Sequence, residues 1–181
     1  ERVFGVVLVE MALALITFSK NGVNDVELED TISLQDSVLD SVFQYHAPPI
    51  RRLPSHVWSR LRSGLAGLIT ERENGCLKWY HRQLMETAEK RYAYMKLRAH
   101  GILGRYFGNL TDASLTEARL ITSQPWVFTA GTADVPVSSD AVFTCANNRL
   151  NKRRCVEAAY GLVQGDLLVE AEVELCSLVG I

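Results

Sequence analysis

The chain has 181 residues, of which 48% are hydrophobic and 22% charged, and its formal net charge is −2. This composition is typical of a globular protein that builds its own core, and it argues against a disordered chain. The four cysteines include no C-x-x-C pair, so their spacing predicts neither a zinc site nor a disulfide framework. We expect buried free thiols in a reducing compartment, and therefore a cytoplasmic protein.

Charge is distributed unevenly along the chain. Residues 1–50 carry two basic and eight acidic side chains, residues 51–105 carry twelve and four, and residues 106–181 carry five and nine. The basic middle segment could attract nucleic acid or nucleotide phosphate. It could equally pair with the acidic first third or with an acidic neighbouring domain. Because the acidic and basic segments are adjacent and similar in size, pairing within the chain is favoured.

Residues 3–20 predict a first helix, because their large apolar side chains recur at helical spacing. The segment is shorter than the ~20 residues that a bilayer needs, and Glu10 lies in its middle. We therefore expect a buried helix and no membrane partner. Gly22 is expected to follow it in the left-handed conformation that glycine accepts at helix ends.

Two shorter helices are predicted next. Asn24 is expected to cap a helix over residues 25–32, with Glu27 completing a capping box. A third helix is predicted over residues 36–45. The Pro48-Pro49 pair follows it and predicts an extended connector, since the residue before a proline avoids the helical region.

A helix, a hairpin and another helix are predicted between residues 54 and 92. Residues 69–72 and 76–80 read as strands around Asn74-Gly75, and Asn-Gly is a strong hairpin signal. Residues 81–92 then predict a helix. The helix before the hairpin has its apolar side chains at helical spacing, namely Val57, Trp58, Leu61, Leu65 and Leu68. These parts predict a mainly α fold, in which residues 1–92 form a winged-helix domain with a small β-hairpin wing.

Residues 93–181 are expected to form a helical extension. A helix over 95–107 is predicted to be weakly broken at Gly101 and Gly104. Residues 108–146 are rich in Thr, Ser, Ala, Pro and Gly, and they predict a connector.

Two antiparallel helices, an αα-hairpin, are predicted at the end of the chain. They cover residues 148–163 and 167–178, with a Gln-Gly-Asp break between them. This arrangement is typical of helical-repeat proteins, in which each pair of helices stacks on the next. The second helix is expected to bury one stripe, namely Leu168, Ala171, Leu175 and Leu178.

Motifs that carry catalysis or bind metal are absent from the sequence. It has no phosphate loop, no G-x-G-x-x-G, no H-E-x-x-H and no G-x-S-x-G. We therefore predict no catalytic residue, no metal ligand and no enzyme activity for this chain by itself. His46, His56 and His100 are scattered, and we expect solvated or capping roles for them.

His81 occupies a more informative position, because it follows the second predicted wing strand and opens a helix. The free N–H groups and the positive dipole end of a helix N-terminus favour an anion, and Arg82 stands beside it. As a donor to a phosphate oxygen, the imidazole could contribute roughly 1.5–3 kcal/mol. Alternatively, His81 caps its own helix or packs between Trp79 and Leu84.

Nucleic-acid binding by the winged helix is the alternative function. A winged helix that reads DNA places a basic helix in the major groove and contacts phosphates with its wing. The predicted third helix carries Asp36 and Asp40 and no Lys or Arg, so phosphates would repel it. The basic helix before the wing could still bind the backbone non-specifically.

Six segments of the sequence form a recognisable set, namely FSKNGV (18–23), ELE (27–29), SLQDSVL (33–39), PPIRRLP (48–54), WSRLR (58–62) and WYHRQ (79–83). Together they resemble the region that follows the nucleotide-binding domain in NACHT and WD-repeat proteins, which are large signal-transduction ATPases of the STAND class. The resemblance covers residues 1–92 and is weaker over 148–178.

The resemblance implies a non-catalytic regulatory and relay module of a larger NACHT-type NTPase. Such a module docks on the upstream NACHT domain, holds the ADP-bound closed state and passes movement to C-terminal repeats. ADP or ATP would be bound with that upstream domain, which contributes the phosphate loop. The implied partners are these domains of the same protein and other proteins, and neither nucleic acid nor membrane.

The resemblance also implies a role for His81. In related switch ATPases a winged-helix histidine at the wing-to-helix junction contacts bound ADP. The common pattern there is Met-His-Asp, whereas this chain has Tyr80-His81-Arg82. The departure at Arg82 removes a helix-capping Asp and makes a direct phosphate contact by Arg82 conceivable.

Overall fold

The computed structural model describes residues 5–45, 48, 51–72, 75–108, 110, 144–145, 149–150 and 152–179. Within them the chain is mainly helical, with two small antiparallel strand pairs. The helices are α1 (Val6–Phe18), α2 (Asp25–Ser33), α3 (Asp36–Val42), α4 (Ser55–Gly64), α5 (Arg82–Arg91), α6 (Lys96–Gly108), α7 (Lys152–Gln164) and α8 (Leu168–Val179). The strands are β1 (Ile69–Glu71), β2 (Leu77–Trp79), β3 (Thr144–Cys145) and β4 (Arg149–Leu150), and a 3-10 turn (Ala93–Met95) joins α5 to α6.

Helix α1 lies at the centre of the fold. From Leu8 to Phe18 every residue except Glu10 is buried, and α2, α3, α5, α6 and β2 pack on it. The prediction of a buried first helix is therefore confirmed. None of the helices in the described ranges combines the length and the apolar character that a membrane crossing needs.

The turn after α1 requires glycine. Gly22 has φ +88°, and a Cβ placed on it would lie 2.6 Å from the carbonyl oxygen of Leu77. Only glycine adopts this conformation without strain and also allows so close an approach. The turn brings Val23 beside the wing, where it forms a β-bridge with Leu77.

The start of α2 confirms the predicted capping box. The Glu27 backbone N–H donates to the Asn24 side chain over 2.8 Å, and the Asn24 backbone N–H donates to the Glu27 carboxylate over 2.9 Å. Unlike a surface cap, this one is buried, since Glu27, Glu29 and Asp30 all lie inside the fold. The carboxylates of α2 therefore need partners from other elements.

Arginines of the basic segment supply some of those partners. The pairs are Arg51 with Asp36 and Asp40, Arg52 with Glu29 and Asp30, and Arg62 with Asp25. Pairing within the chain is thus confirmed for these three arginines. Arg62 lies on α4, directly before the wing, so the pairing also occupies a guanidinium that nucleic-acid binding would use.

The wing is the predicted antiparallel hairpin. Ile69 pairs with Trp79 and Glu71 pairs with Leu77, while the predicted turn residues Glu73 and Asn74 lie outside the described residues. The hairpin, with the helices around it and the αα-hairpin of α7 and α8, confirms the predicted fold class. The division at residues 92 and 93 stays a prediction.

The helix before the wing is shorter than its apolar pattern suggests. It ends at Gly64, and the chain then turns into β1. Leu68 is consequently 40% exposed rather than on the buried face, whereas Trp58, Leu61 and Leu65 are buried as predicted.

Helix α6 runs without interruption through Gly101 and Gly104, so the predicted weak break there is wrong. Both glycines face α7, where a Cβ on Gly104 would lie 2.5 Å from the backbone nitrogen of Leu162. A Cβ on Gly161 would lie 2.6 Å from the nitrogen of Gly104. The glycines thus mark a close contact between backbones, and its packing offsets their low helix propensity.

The buried stripe predicted for α8 is also wrong. Ala171 is buried, but Leu168 is 60% and Leu175 is 45% exposed, because α8 packs mainly on α7, through the side that carries Ala171 and Glu174. Helix α7 starts at Lys152 rather than at residue 148, since Arg149 and Leu150 form β4 with β3. Most of the predicted connector, residues 108–146, lies outside the described residues, as does the side chain of Leu178.

Buried thiols were expected, but of Cys76, Cys155 and Cys176 only Cys76 is buried. Burial raises the pKa of Cys76, and so it favours the protonated thiol. Cys176 is exposed because it lies on the side of α8 that no described element covers.

Candidate functional site

His81 lies between the wing and α5, as predicted. Its backbone is extended, with φ −115° and ψ 142°, and its side chain makes no capping hydrogen bond. The imidazole is exposed and meets the Tyr80 ring edge-on, with 4.4 Å between ring centres. His81 therefore does not cap its own helix, and an exposed imidazole is not buried between Trp79 and Leu84.

A groove of about 250 Å³ surrounds this histidine. Its base is held by Trp79, whose indole N–H donates to the Thr17 hydroxyl over 3.0 Å. Thr17 in turn donates to the carbonyl of Leu13 over 2.6 Å. The groove is lined by Ile16, Thr17, Ser19, Arg72, Lys78, Trp79, Tyr80, His81, Arg82 and Met85. A rigid contact between the wing and α1 thus fixes the position of the histidine.

The groove is electropositive. Arg72, Lys78 and Arg82 line it together with His81, and no Asp or Glu is among the described residues that do so. Partial burial, and then the charge of Arg72, lowers the pKa of Lys78. Such a site favours an anion, because anionic oxygens would accept hydrogen bonds from all four side chains and offset their repulsion.

Arg82 is available to such a ligand. Its side chain is 85% exposed and its Nε lies 2.7 Å from the Glu86 carboxylate, one turn further along α5. Exposed ion pairs of this kind contribute less than about 0.5 kcal/mol. A phosphate could therefore compete with Glu86 for the guanidinium.

The other histidines differ from one another. His56 is exposed at the start of α4, as predicted, and His46 lies outside the described residues. His100 was expected to be solvated or capping, but it is only 2% exposed. It packs between the rings of Phe18 and Tyr160, each with its centre 5.5 Å away. His100 is buried because α7, which follows about 50 residues later in the chain, covers this face of α6.

A buried ion network was not foreseen from the sequence. Arg153 of α7 donates to the Glu27 carboxylate and to the carbonyl of Gly22 over 3.0 Å. Glu157, one turn later, accepts from Arg153 over 3.3 Å and from the backbone N–H of Asn21 over 3.0 Å. Although burial lowers it, the pKa of Arg153 is raised by Glu27. The adjacent arginines at positions 153 and 154 were the available signal, but their partners are distant in sequence.

Residues 1–99 match the family model described as "NWD1-like, winged helix-turn-helix domain". Over 97% of its length the chain is 31% identical to mouse NACHT domain- and WD repeat-containing protein 1. Over 59% it is 36% identical to the human protein of that name and to mouse NACHT and WD repeat domain-containing protein 2. The chain spans 12%, 7% and 6% of these three relatives. No solved structure matches it.

Proposed function

The chain belongs to the NWD1-like winged helix-turn-helix family, and from this we propose that it is the regulatory and relay module of a NACHT-type NTPase. In this proposal the chain is not catalytic. It docks on an upstream nucleotide-binding domain and holds the ADP-bound closed state. Movement then passes through its C-terminal helices to the repeats that follow.

The exposed position of His81 carries this proposal. Its side chain is presented at the N-terminus of α5, in a groove that also holds Arg72 and Lys78. The groove contains no phosphate-binding loop of its own, so we infer that it completes a nucleotide site on another domain. His81 and Arg82 would donate to the diphosphate of ADP, which is the anion that the closed state retains.

The relay is supported by how the winged helix meets the helical extension. Helix α6 packs on α1 on one side and on α7 on the other. Helix α8 exposes Leu168, Val169 and Val173, and an apolar helix face of this kind suits stacking by a following helical element. A displacement of the winged helix would therefore be transmitted to whatever packs on α8.

The test is His81→Ala in the full-length protein with ADP bound. Loss of a hydrogen bond to a charged phosphate should accelerate ADP dissociation by about tenfold or more, and basal activation should rise. Release of a fluorescent ADP analogue, followed by stopped-flow, measures this rate. His56→Ala is the matched control, because His56 is also exposed but lies on α4, outside the groove.

Two results would contradict the sensing role. One is ADP dissociation at the wild-type rate in the His81→Ala protein. The other is equal acceleration by His56→Ala, which would indicate a general loosening of the winged helix. Arg82→Ala should produce a smaller change than His81→Ala if Arg82 shares its contact with Glu86.

A further inference from the structure

Four of the five lysines of the chain line one groove. They come from four separate places: the end of α1, the wing, α5 and the start of α6. The groove has a volume of about 510 Å³, and Tyr160 of α7 also lines it. The four are Lys20, Lys78, Lys90 and Lys96. A lysine set gathered from so many elements is a product of the fold rather than of a basic sequence run.

The lysines stand over an aromatic floor. Phe18, His100 and Tyr160 form it, and the Lys20 Nζ lies 5.3 Å from the centre of the Tyr160 ring. The Lys78 Nζ donates to the carbonyl of Lys20 over 2.6 Å. These contacts fix two of the four ammonium groups, so the groove does not depend on mobile side chains alone.

The floor contains a buried polar atom. His100 is 2% exposed, and its Nδ1 has no hydrogen-bond partner within the described residues. Buried polar atoms without a partner are rare and costly in native proteins. Burial, and then the charge of Lys96, lowers the pKa of His100 to about 4, so the imidazole in the floor is neutral at pH 7.

The positive charge is poorly compensated. Glu89 is the only acid among the described residues that line the groove. Lysine ammonium groups are point charges with three donors each, and they can surround an anion from several directions without the planar geometry that arginine needs. The arrangement therefore fits a compact ligand with several phosphate groups better than a single planar carboxylate.

We propose that this lysine groove binds a compact, soluble, multiply phosphorylated anion. Lys20, Lys78, Lys90 and Lys96 would each donate to its phosphate oxygens. The ligand would bridge α1, the wing and α5 to α6 and α7, and so would clamp the winged helix to the helical extension. The groove adjoins the nucleotide-facing groove, and the two share Thr17, Ser19, Lys78 and Met85. The two sites still differ in their ligand donors, since His81 and Arg82 do not line the lysine groove.

Isothermal titration of the 181-residue chain with inorganic tripolyphosphate at low salt tests this site. We expect binding that weakens as salt is raised. The Lys90→Gln/Lys96→Gln double variant should bind at least about tenfold more weakly, because two charged hydrogen bonds are lost. The matched Lys90→Arg/Lys96→Arg variant keeps both charges and should retain most of the affinity.

The His81→Ala variant separates this proposal from the one for nucleotide sensing. It should bind tripolyphosphate with wild-type affinity, whatever its effect on ADP in the full-length protein. Failure of one proposal therefore leaves the other standing.

Other outcomes of the same titration would overturn the proposal. These are absence of binding at low salt, equal affinities for the wild-type and Lys90→Gln/Lys96→Gln chains, and equal affinities for tripolyphosphate and single inorganic phosphate. A polyglutamate peptide or a short DNA duplex that binds more tightly than tripolyphosphate would also overturn it. The groove would then belong to an acidic protein segment or to nucleic acid.

Discussion

At the scale of single residues, His100 shows how burial changes the chemistry of a side chain. It lies between Phe18 and Tyr160, and its pKa is lowered to about 4, first by burial and then by Lys96. An imidazole in such a place is neutral at pH 7, and protonation is disfavoured while the protein stays folded. The stability of the fold therefore depends on pH through His100.

We predict that His100 destabilises the protein in mild acid. Its pKa is about 6.5 when unfolded and about 4 when folded, so below pH 6.5 the unfolded state binds more protons. The contribution of neutral His100 to the free energy of unfolding is complete above pH 6.5. It is lost as the pH falls towards 4, and the free energy of unfolding then decreases by up to about 3 kcal/mol. Denaturant melts of wild type and His100→Leu between pH 7 and 4 measure the difference. Identical pH profiles would refute the prediction, and His56→Gln, an exposed control, should leave the profile unchanged.

At the scale of secondary-structure elements, the contact between α6 and α7 depends on glycine. A Cβ on Gly104 or on Gly161 would lie within 2.7 Å of the other glycine's backbone. A Cβ on Gly165 would lie 2.7 Å from the nitrogen of Gly101, whereas one on Gly101 would only contact Leu167 at 3.5 Å. The backbones of the two helices are therefore in direct contact at Gly104 and Gly161. Helix propensity alone would favour alanine at these positions, so packing decides the residue here.

Gly104→Ala separates packing from helix propensity. Helix propensity predicts that the free energy of unfolding rises by up to about 1 kcal/mol. Overpacking against Leu162 predicts that it falls by about 1–3 kcal/mol. We expect the loss, measured as the free energy of unfolding in denaturant. Gly64→Ala is the control, because Gly64 is at the end of α4 and a Cβ there meets nothing within 4 Å. A stabilised Gly104→Ala protein would show that the two helices can move apart at little cost.

At the scale of the whole molecule, Arg153 joins the winged helix to the helical extension. Its guanidinium lies over the Phe107 ring at 5.1 Å and donates to Glu27, which is 126 positions away in sequence. Burial raises the pKa of Glu27, and Arg153 and the Asn24 backbone oppose that rise. The contact between Arg153 and Glu27 therefore links the capping box of α2 to the start of α7. Through it the winged helix and the helical extension stabilise each other.

Arg153→Ala should lower the free energy of unfolding by about 3 kcal/mol, because it leaves Glu27 buried without its partner. Adding Glu27→Gln to that variant should recover part of the loss, since the unpaired charge is removed. Chemical denaturation followed by circular dichroism measures both changes. Arg105→Ala, which removes a half-exposed pair with Glu170, should change stability by no more than about 1 kcal/mol. Equal effects of the Arg153 and Arg105 substitutions would exclude a joining role for Arg153.

Features decided by near neighbours in the chain could be predicted from the sequence alone. The capping box of Asn24 and Glu27 spans three residues, the wing pairs strands a few residues apart, and Gly22 ends the first helix region. Local sterics and backbone hydrogen bonding determine such features. The hairpin pattern and the start of the following helical pattern also predicted that His81 lies at the wing-to-helix junction. This part of the candidate site was therefore predictable from the sequence.

Only the tertiary structure decided which surfaces meet. The sequence alone showed neither that α7 would cover His100, nor that Leu168 would be left exposed, nor that Arg153 would reach Glu27. The four lysines of the second groove are up to 76 positions apart, from Lys20 to Lys96. The physical reason is that burial and charge pairing depend on contacts between distant elements. Periodicity can show that a helix has an apolar face, but not which element, if any, will cover that face.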